Sequence, residues 1–227
     1  MIGNKKVLAI TLARGGSTRV PKKNIADVNG KRILWYTAEQ VLASKNIDNY
    51  IVSTDDNDIA KIAEDSGATV HHRDPRFAEN TTSSAASLLN VLDSVEGEFD
   101  YLVEIMATNP LKDSGDIDGV LEKLHETKAD SVVSVVRIWD HHPSRVKYIL
   151  NDKLCDFYPE VPESRRQDLT PAAYVRNGSI YATTMFSFLK NKVRLGPDTR
   201  PYIMEESKTI NIDEPIDLEL ARLLIEQ

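Results

Sequence analysis

The sequence predicts an α/β protein in which a mainly parallel sheet lies between two layers of helices. Residues 7–11 form an apolar run of β-branched and aliphatic side chains, which is typical of a strand buried on both faces. Residues 33–44 instead space their apolar side chains as one face of a helix requires. Because runs of these two kinds alternate through residues 7–71, we expect parallel strands joined by helices on both faces of the sheet.

The remaining elements are assigned from the same two patterns and from the residues that end them. A helix over residues 59–65 has a cap in Asp55 or Asp56 and a stop in Gly67. Further strands are predicted at residues 50–53, 69–71, 101–106 and 131–137, and further helices at 114–127 and 218–226. Another helix is opened by the run at residues 80–84 and carries Leu88, Leu89, Val91 and Leu92. Residues 138–170 are short, polar and hairpin-like, and we interpret them as an excursion from a single domain that spans residues 1–227.

Length, charge and cysteine content exclude several classes of protein. The chain of 227 residues is long enough for one large hydrophobic core. Its net charge of −7 argues against a general nucleic-acid surface, and no apolar run approaches the roughly 18 residues of a membrane span. The single cysteine, Cys155, excludes an internal disulfide and a cysteine-rich metal site. We therefore expect a cytoplasmic protein with neither nucleic acid nor membrane as a partner.

A basic loop with two glycines follows the first strand and is the most informative stretch of the sequence. Gly15 and Gly16 break the strand, and glycine lets backbone N–H groups approach oxyanions. The loop also carries four cationic side chains: Arg14, Arg19, Lys22 and Lys23. Its spacing fits neither the P-loop nor the dinucleotide-binding fingerprint. The loop predicts a phosphate-binding site, and the alternative interpretation is an exposed basic loop after a core strand.

Two further segments carry oxygen-bearing side chains that suit phosphate or metal binding. The hydroxyl-rich run at residues 80–84 opens a helix, where phosphate or ribose oxygens bind well, although N-capping accounts for one of its residues. Near the C-terminus, alternation places Asn211 and Asp213 on one side of an extended segment. Two such side chains can serve one Mg²⁺ and the phosphates that it holds.

Three arginines in the second half of the chain suit a carboxylate ligand. Arg165, Arg166 and Arg176 each carry a guanidinium group, which pairs with a carboxylate through two parallel hydrogen bonds. Taken singly, each is better explained as an exposed charge that keeps the surface soluble.

Several segments, in order along the chain, resemble the motifs of one enzyme family. They are ARGGSTRVPKKN at residues 13–24, ENTTSS at 79–84, MATNPLK at 106–112, RNGSIY at 176–181 and INID at 210–213. Each is similar to a motif of the CMP-sialic acid synthetases, which are cytidylyltransferases that make CMP-activated acid sugars. The likeness runs from Val7 to about Glu226, essentially the whole chain.

The resemblance implies a fold, an assembly and a reaction. The fold is a three-layer, Rossmann-like nucleotidyltransferase fold of the glycosyltransferase-A type, with RNGSIY as one of its strands. The assembly is a homodimer in which residues 138–170 reach across to the partner subunit. In the reaction, the anomeric hydroxyl of a 2-keto-3-deoxy sugar acid attacks the α-phosphorus of CTP, giving a CMP-sugar and pyrophosphate, with Mg²⁺ as the cofactor.

The resemblance also implies which residues form the site. The catalytic residues are Arg14, Lys23 and Asp213. The nucleotide-binding residues are Leu12, Ala13, Arg14, Gly15, Gly16, Ser17, Lys23, Asn24, Arg73, Thr82 and Ser84. The sugar-binding residues are Thr108, Arg165, Gln167, Arg176 and Asn177. The Mg²⁺ ligands are Asp213 and Asn211.

The chain departs from the usual family motifs at three positions that bear on the substrate. It has Asn80 and Asn211 where Asp is usual, and Met106 where a glutamine near the sugar acid is usual. These departures leave the substrate open among sialic, legionaminic, pseudaminic and related acids. They also favour a competing hypothesis, a nucleotide-binding module that has lost activity.

Two competing hypotheses are enzymes of related classes. A KDO-type cytidylyltransferase shares the Ser17-Thr18-Arg19 run, but residues 22–24 and the RNGSIY and INID motifs favour the sialic-type branch. A sugar-1-phosphate nucleotidyltransferase has a similar arrangement of sheet and phosphate-binding loop, but the Gly-rich loop usual in those enzymes is missing here.

Overall fold

Strands and helices alternate along residues 1–159 and 164–225, the parts of the chain that the computed structural model describes. The strands are β1 (Val7–Leu12), β2 (Asp27–Val28), β3 (Lys31–Arg32), β4 (Asn49–Thr54), β5 (Thr69–His72), β6 (Tyr101–Ile105), β7 (Ser131–Ile138), β8 (Lys147–Leu150), β9 (Lys153–Asp156), β10 (Ala173–Thr184) and β11 (Thr199–Ile203). The helices are α1 (Ile33–Ala43), α2 (Asn57–Asp65), α3 (Ser84–Leu92), α4 (Ser114–Thr127), α5 (Met185–Asn191) and α6 (Pro215–Ile225).

Seven of these strands form one sheet, in the order β11-β7-β10-β6-β1-β4-β5. Strand β1 lies inside the sheet and pairs in parallel with β4 and β6, and β5 and β11 extend the parallel pairing at the two edges. Among the described strands of this sheet, only β10 runs antiparallel to its neighbours, β6 and β7. The predicted mainly parallel sheet is confirmed.

Helices cover both faces of the sheet because successive strand side chains point in opposite directions. On one face, Val7 and Ala9 of β1 pack against α1, α2 and α4. On the other face, Leu8 and Ile10 pack against α3, and Phe188 of α5 joins the same cluster. All four β1 side chains are fully buried, as the apolar run in the sequence predicts. The three-layer α/β/α class is therefore confirmed.

Several element boundaries differ from the sequence-based predictions. Helix α2 begins at Asn57, two residues earlier than predicted, because the Asp56 carboxylate caps the amides of Asp58 and Ile59. Helix α6 begins three residues earlier, at Pro215, and its predicted last residue lies outside the described residues.

Four elements were not predicted: helix α5, the short strands β2 and β3, and strand β11. Strand β11 occupies the edge of the sheet and contains Pro201, a residue that interrupts strand patterns but is tolerated at sheet edges.

Residues 147–156 form a separate two-stranded hairpin, β8–β9, within the predicted excursion. Its turn residues Asn151 and Asp152 have φ values of 50° and 60°, the left-handed conformation that a tight hairpin turn requires. The hairpin exposes large apolar side chains, with Ile149 at 76% and Leu154 at 73% exposure. None of the helices in the described ranges is long and apolar enough to cross a membrane.

Candidate active site

A cavity of about 560 Å³ opens beside the carboxyl ends of β1 and β6, where parallel α/β sheets commonly bind ligands. Segments that are far apart in sequence meet there, including the basic loop, the start of α3 and the extended segment before α6. The predicted site residues that line the cavity are Leu12, Arg14, Ser17, Lys23, Asn24, Arg73, Thr82, Ser84, Thr108, Asn211 and Asp213.

The two glycines of the basic loop shape its turn. A Cβ atom on Gly15 would lie 2.7 Å from Asp56 Oδ2, so only glycine fits where the loop crosses the start of α2. The Gly15 amide donates a hydrogen bond to Asp55 Oδ1 at 3.0 Å, and the Ser17 amide donates to the Gly15 carbonyl at 2.9 Å. Gly16 has open space where a Cβ would be. Gly15, Gly16 and the buried Ala13 form the turn but do not line the cavity.

Arg14 and Asn24 hold the two ends of the loop together. The Asn24 side-chain amide is buried and donates to the Arg14 carbonyl oxygen at 2.9 Å. The Arg14 guanidinium extends to the far side of the cavity, where Nη1 lies 3.4 Å from the Ala78 carbonyl oxygen. Asn24 thus braces the backbone that carries Arg14, and Arg14 presents its charge along the cavity wall.

A chain of hydrogen bonds joins the basic loop to the C-terminal segment. Lys23 Nζ donates to Asp213 Oδ1 at 2.7 Å, and Asn211 Nδ2 donates to Asp213 Oδ2 at 2.6 Å. Thr108 Oγ1 donates in turn to Asn211 Oδ1 at 2.7 Å. Asp217 fixes this segment, because its carboxylate accepts a hydrogen bond from the backbone amide of Asp213 at 2.9 Å. The alternation that places Asn211 and Asp213 on one side also brings their side chains into contact.

Asp213 is the strongest candidate metal ligand in this network. Its carboxylate is 49% exposed at the cavity, whereas the Asn211 carbonyl oxygen already accepts from Thr108. No group of three or more His, Cys, Asp or Glu side chains in the described ranges could hold a metal ion unaided. The donor set therefore fits Mg²⁺ in the way that nucleotide enzymes use it, with one or two carboxylates and several phosphate oxygens.

Arg73 forms a fixed cation under the other end of the cavity. Its guanidinium is buried and donates to Ser53, from Nε to Oγ at 3.0 Å and from Nη2 to the carbonyl oxygen at 2.6 Å. Burial lowers the pKa of Arg73, and the carboxylates of Asp55 and Glu104 partly offset this effect. Such a cation stays in place without a ligand, which suits it to bind and orient a polar group.

The hydroxyl-rich run divides into a cap and a cavity wall. Ser83 is the N-cap of α3, and its hydroxyl accepts from the Ala86 amide at 3.2 Å. Thr82 donates to the Arg76 carbonyl at 3.1 Å and also faces the cavity. Ser84 lines the cavity from the first turn of the helix, and its hydroxyl lies beside the Glu104 carboxylate.

Four of the five predicted sugar-binding residues lie away from this cavity in the single chain. Asn177 is buried behind the cavity, because its position on β10 turns the side chain toward Ser134 and Met204. Its side-chain oxygen accepts a hydrogen bond from the Ser134 hydroxyl at 2.7 Å. Its neighbour Gly178, with φ of 65°, lines the cavity instead.

The remaining three are exposed. Arg165 pairs with Asp168 on the excursion, where Gln167 also lies, and Arg176 is exposed on β10.

Two charged residues that sequence analysis did not single out as site residues are buried at or below the cavity. Glu104 lines it from β6 and is 1% exposed. Its signal in the sequence is a lone acid in an otherwise apolar strand, YLVEI. Burial raises the pKa of Glu104. The positive charges of Arg194 and Arg73 and the hydroxyl of Ser84 lower it and offset part of this effect.

Lys112 braces the loop that follows β6. Its buried Nζ donates to the carbonyl oxygens of Met106 at 2.8 Å and Asn109 at 2.5 Å, and to Thr37 Oγ1 at 2.8 Å. Burial lowers its pKa to about 7, and the carboxylate of Asp116 opposes that effect. Lys112 thus fixes the loop between Met106 and Asn109.

Comparison with known proteins identifies the family. Residues 8–221 match the sequence profile of the cytidylyltransferase family. A pseudaminic acid cytidylyltransferase of Campylobacter jejuni is 29% identical, with 96% of each chain covered. A CMP-N,N'-diacetyllegionaminic acid synthase of Legionella pneumophila is 30% identical, with 97% of each chain covered.

A solved structure shares the fold. The structure of CMP:2-keto-3-deoxy-manno-octonic acid synthetase complexed with CTP superimposes with a TM-score of 0.74, covering 98% of this chain and 99% of that one at 20% identity. The profile match covers nearly the whole chain, and the fold and the two full-length relatives agree with it. This chain belongs to the cytidylyltransferase family and is a nucleotidyltransferase related to the CMP-nonulosonic acid synthetases.

Proposed function

We propose that this cytidylyltransferase transfers CMP from CTP to the anomeric hydroxyl of a nonulosonic acid and releases pyrophosphate. The observation that carries the proposal is the convergence of the basic loop, Arg73 and Asp213 on one cavity. The relatives support it, because their names specify pseudaminic and legionaminic acids as substrates.

The proposed reaction requires positioning and charge neutralisation more than covalent help from the protein. The anomeric oxygen of the sugar forms a bond to the α-phosphorus of CTP, and the bond from that phosphorus to the bridging oxygen breaks. Pyrophosphate leaves with the electron pair, and the sugar hydroxyl loses its proton to the surrounding solution. Arg14 and Lys23 flank the cavity and would neutralise charge on the triphosphate as the bond to the leaving group breaks.

Asp213 would hold Mg²⁺ together with phosphate oxygens of CTP. The bound metal would supply charge that stabilises the leaving pyrophosphate. Lys23 donates to Asp213 Oδ1, so its ammonium group would lie beside the phosphates that this carboxylate helps to hold. Asn211 would orient the Asp213 carboxylate through its side-chain amide.

At the nucleotide end, we propose that the cytosine and ribose lie between Arg73, Asn24 and Ser84. All three line the cavity, and the buried Arg73 is already fixed by Ser53. Leu12 supplies an apolar contact at the end of β1. Gly16 and Ser17 would approach the phosphates along the basic loop.

For the sugar end, we propose a homodimer in which the excursion of one subunit completes the site of the other. Thr108 already lines the cavity, but Arg165 and Gln167 are exposed on the excursion and cannot serve the cavity of their own chain as it stands. The hairpin beside them exposes Ile149 and Leu154 almost fully. Contiguous exposed apolar side chains of this kind commonly mark a protein interface.

We place the enzyme in the cytoplasm. The proposal is supported by the single half-buried Cys155, which is typical of a chain without disulfides in a reducing compartment.

Pyrophosphate release tests the proposed reaction. The purified chain is incubated with CTP and Mg²⁺ and with sialic, legionaminic or pseudaminic acid, KDO, or no sugar. Release that depends on one nonulosonic acid is the expected result, whereas release with KDO alone would favour a KDO-type cytidylyltransferase. Silence on every sugar acid, with CTP still bound in calorimetry, would contradict the proposal and leave a nucleotide-binding module.

A further inference from the structure

Glu104 is a buried carboxylate with one unused oxygen in the wall of the cavity. Its Oε2 accepts from Arg194 Nη1 at 2.7 Å. Its Oε1 is buried and receives no hydrogen bond of good geometry from any described residue, although the Ser84 hydroxyl lies close to the carboxylate. The side chain is only 1% exposed and lines the cavity, so a ligand there is the available partner for Oε1.

The position of the carboxylate is built into the fold. Glu104 lies opposite Tyr181 where β6 pairs with β10. The Arg194 guanidinium stacks on the Tyr181 ring at 4.2 Å while it donates to Glu104. Met106, two residues further along, packs against the same apolar cluster as Tyr181 and also lines the cavity. The carboxylate is therefore held on two sides before any substrate binds.

The unused oxygen carries a free-energy cost that a ligand can remove. A buried acceptor without a donor loses its hydration and gains nothing in return. Arg194 and Arg73 are the charged groups that face Glu104, and Ser84 adds a hydroxyl. Even so, a carboxylate in the wall repels the phosphates of CTP and the carboxylate of a sugar acid. The group that contacts Oε1 must therefore be a hydrogen-bond donor without negative charge.

We propose that Glu104 is a specificity-determining residue that accepts a hydrogen bond at Oε1 from an N–H or O–H group of the sugar acid. The inference rests on the proposed function and deepens it, because it names the feature by which this site selects its sugar. The exocyclic amine of cytosine carries the same donor chemistry. The sugar is favoured because Glu104 adjoins Tyr181 and Met106 on the β10 side. Arg73 and Ser84, which we assign to the nucleotide, also face Glu104, so the test includes cytosine as the competing donor.

The test compares an accepted sugar acid with analogues in which one hydroxyl or acylamino group is replaced by hydrogen. For wild type, one analogue is expected to lose about 10- to 100-fold in kcat/KM, the usual effect of a hydrogen bond to a charged group. In Glu104→Leu the same analogue and its parent sugar are expected to react within about threefold of each other, with the KM for CTP unchanged. Glu64→Leu, on the exposed side of α2, is the matched control and should discriminate as wild type does.

The outcomes separate the possible errors. Equal discrimination by wild type and Glu104→Leu would overturn the inference and leave the proposed function standing. A raised KM for CTP in Glu104→Leu, with sugar discrimination intact, would assign the donor to cytosine and also overturn it. Silence of wild type on every sugar acid would overturn the proposed function, and the inference with it.

Glu104→Gln serves if Glu104→Leu melts far below wild type. Glutamine keeps an acceptor but loses the charge, so the penalty for the sensitive analogue should fall at least about threefold. An unchanged penalty in Glu104→Gln would overturn the inference.

Discussion

The two ends of the proposed substrate are served by regions of very different construction. At the nucleotide end, the basic loop, Arg73, the start of α3 and Asp213 meet in one cavity of a single chain. At the sugar end, Arg165 and Gln167 lie on an exposed excursion, Arg176 is exposed on β10, and Asn177 is buried behind the wall. The difference supports our proposal that the sheet itself organises the phosphate chemistry, whereas sugar selection depends on β10, on Glu104 and on a second subunit.

Removing the Asp213 carboxylate is expected to have the largest effect and tests the nucleotide end. Asp213→Ala should abolish Mg²⁺-dependent turnover, since the described residues contain no group of three or more His, Cys, Asp or Glu side chains that could hold the metal instead. Its measurement is pyrophosphate release across a Mg²⁺ titration. Glu214→Ala, next in sequence and paired only with the exposed Arg19, is the control and should stay active. Full activity of Asp213→Ala at ordinary Mg²⁺ would place the metal elsewhere.

Arg14→Ala should have the next largest effect at the same end. Loss of its charge contact with the triphosphate is expected to cost about 2 to 4 kcal/mol of transition-state stabilisation. The quantity to measure is kcat/KM for CTP, with Arg14→Lys as the variant that keeps the charge and recovers part of the loss. Unchanged turnover and unchanged CTP affinity in Arg14→Ala would remove Arg14 from the catalytic set.

Charging the hairpin tests whether the sugar end needs a second subunit. Ile149→Asp combined with Leu154→Asp should dissociate the proposed dimer, because both side chains are exposed in the single chain and would be buried in an interface. Ultracentrifugation should show a monomer that binds CTP normally but has a raised KM for the sugar. A monomeric wild type, or a dissociated variant with an unchanged KM for the sugar, would contradict the idea that the partner completes the site.

The smallest expected effect is on the pH dependence of folding stability and concerns Lys112, which braces the loop after β6 and takes no part in the proposed reaction. Burial lowers its pKa to about 7 in the folded chain, from 10.5 when exposed. Between these values the unfolded chain binds the extra proton, so this lysine makes the fold more stable as the pH rises from about 7 toward 10.5. The slope can approach 1.4 kcal/mol per pH unit for one group.

Lys112→Met removes the titrating group and fills similar volume. Denaturant unfolding at several pH values should show that wild type gains stability relative to Lys112→Met over this range. A constant difference between the two proteins would mean that Lys112 has an ordinary pKa when folded.

Local patterns in the sequence were sufficient for the parts of the molecule that depend on neighbouring residues. The apolar run of β1, the turn at Gly15 and the pair Asn211–Asp213 each lie within a short stretch, and the structure brings those stretches together at one sheet edge.

Features that depend on distant contacts could not be predicted from local patterns. Glu104 is visible in the sequence as a lone acid in an apolar strand, but its pairing with Arg194, ninety positions away, is visible only in the structure. The buried orientation of Asn177 depends on Ser134 and Met204, which no local pattern connects to it.

The fate of the anomeric oxygen tests the central claim most directly. A sugar acid carrying ¹⁸O at the anomeric hydroxyl is incubated with CTP, Mg²⁺ and the enzyme, and the masses of the products are measured by mass spectrometry. If the sugar oxygen attacks the α-phosphorus, the CMP-sugar retains the label and the pyrophosphate is unlabelled. A CMP-sugar without the label, or CTP consumed without any CMP-sugar, would contradict the account.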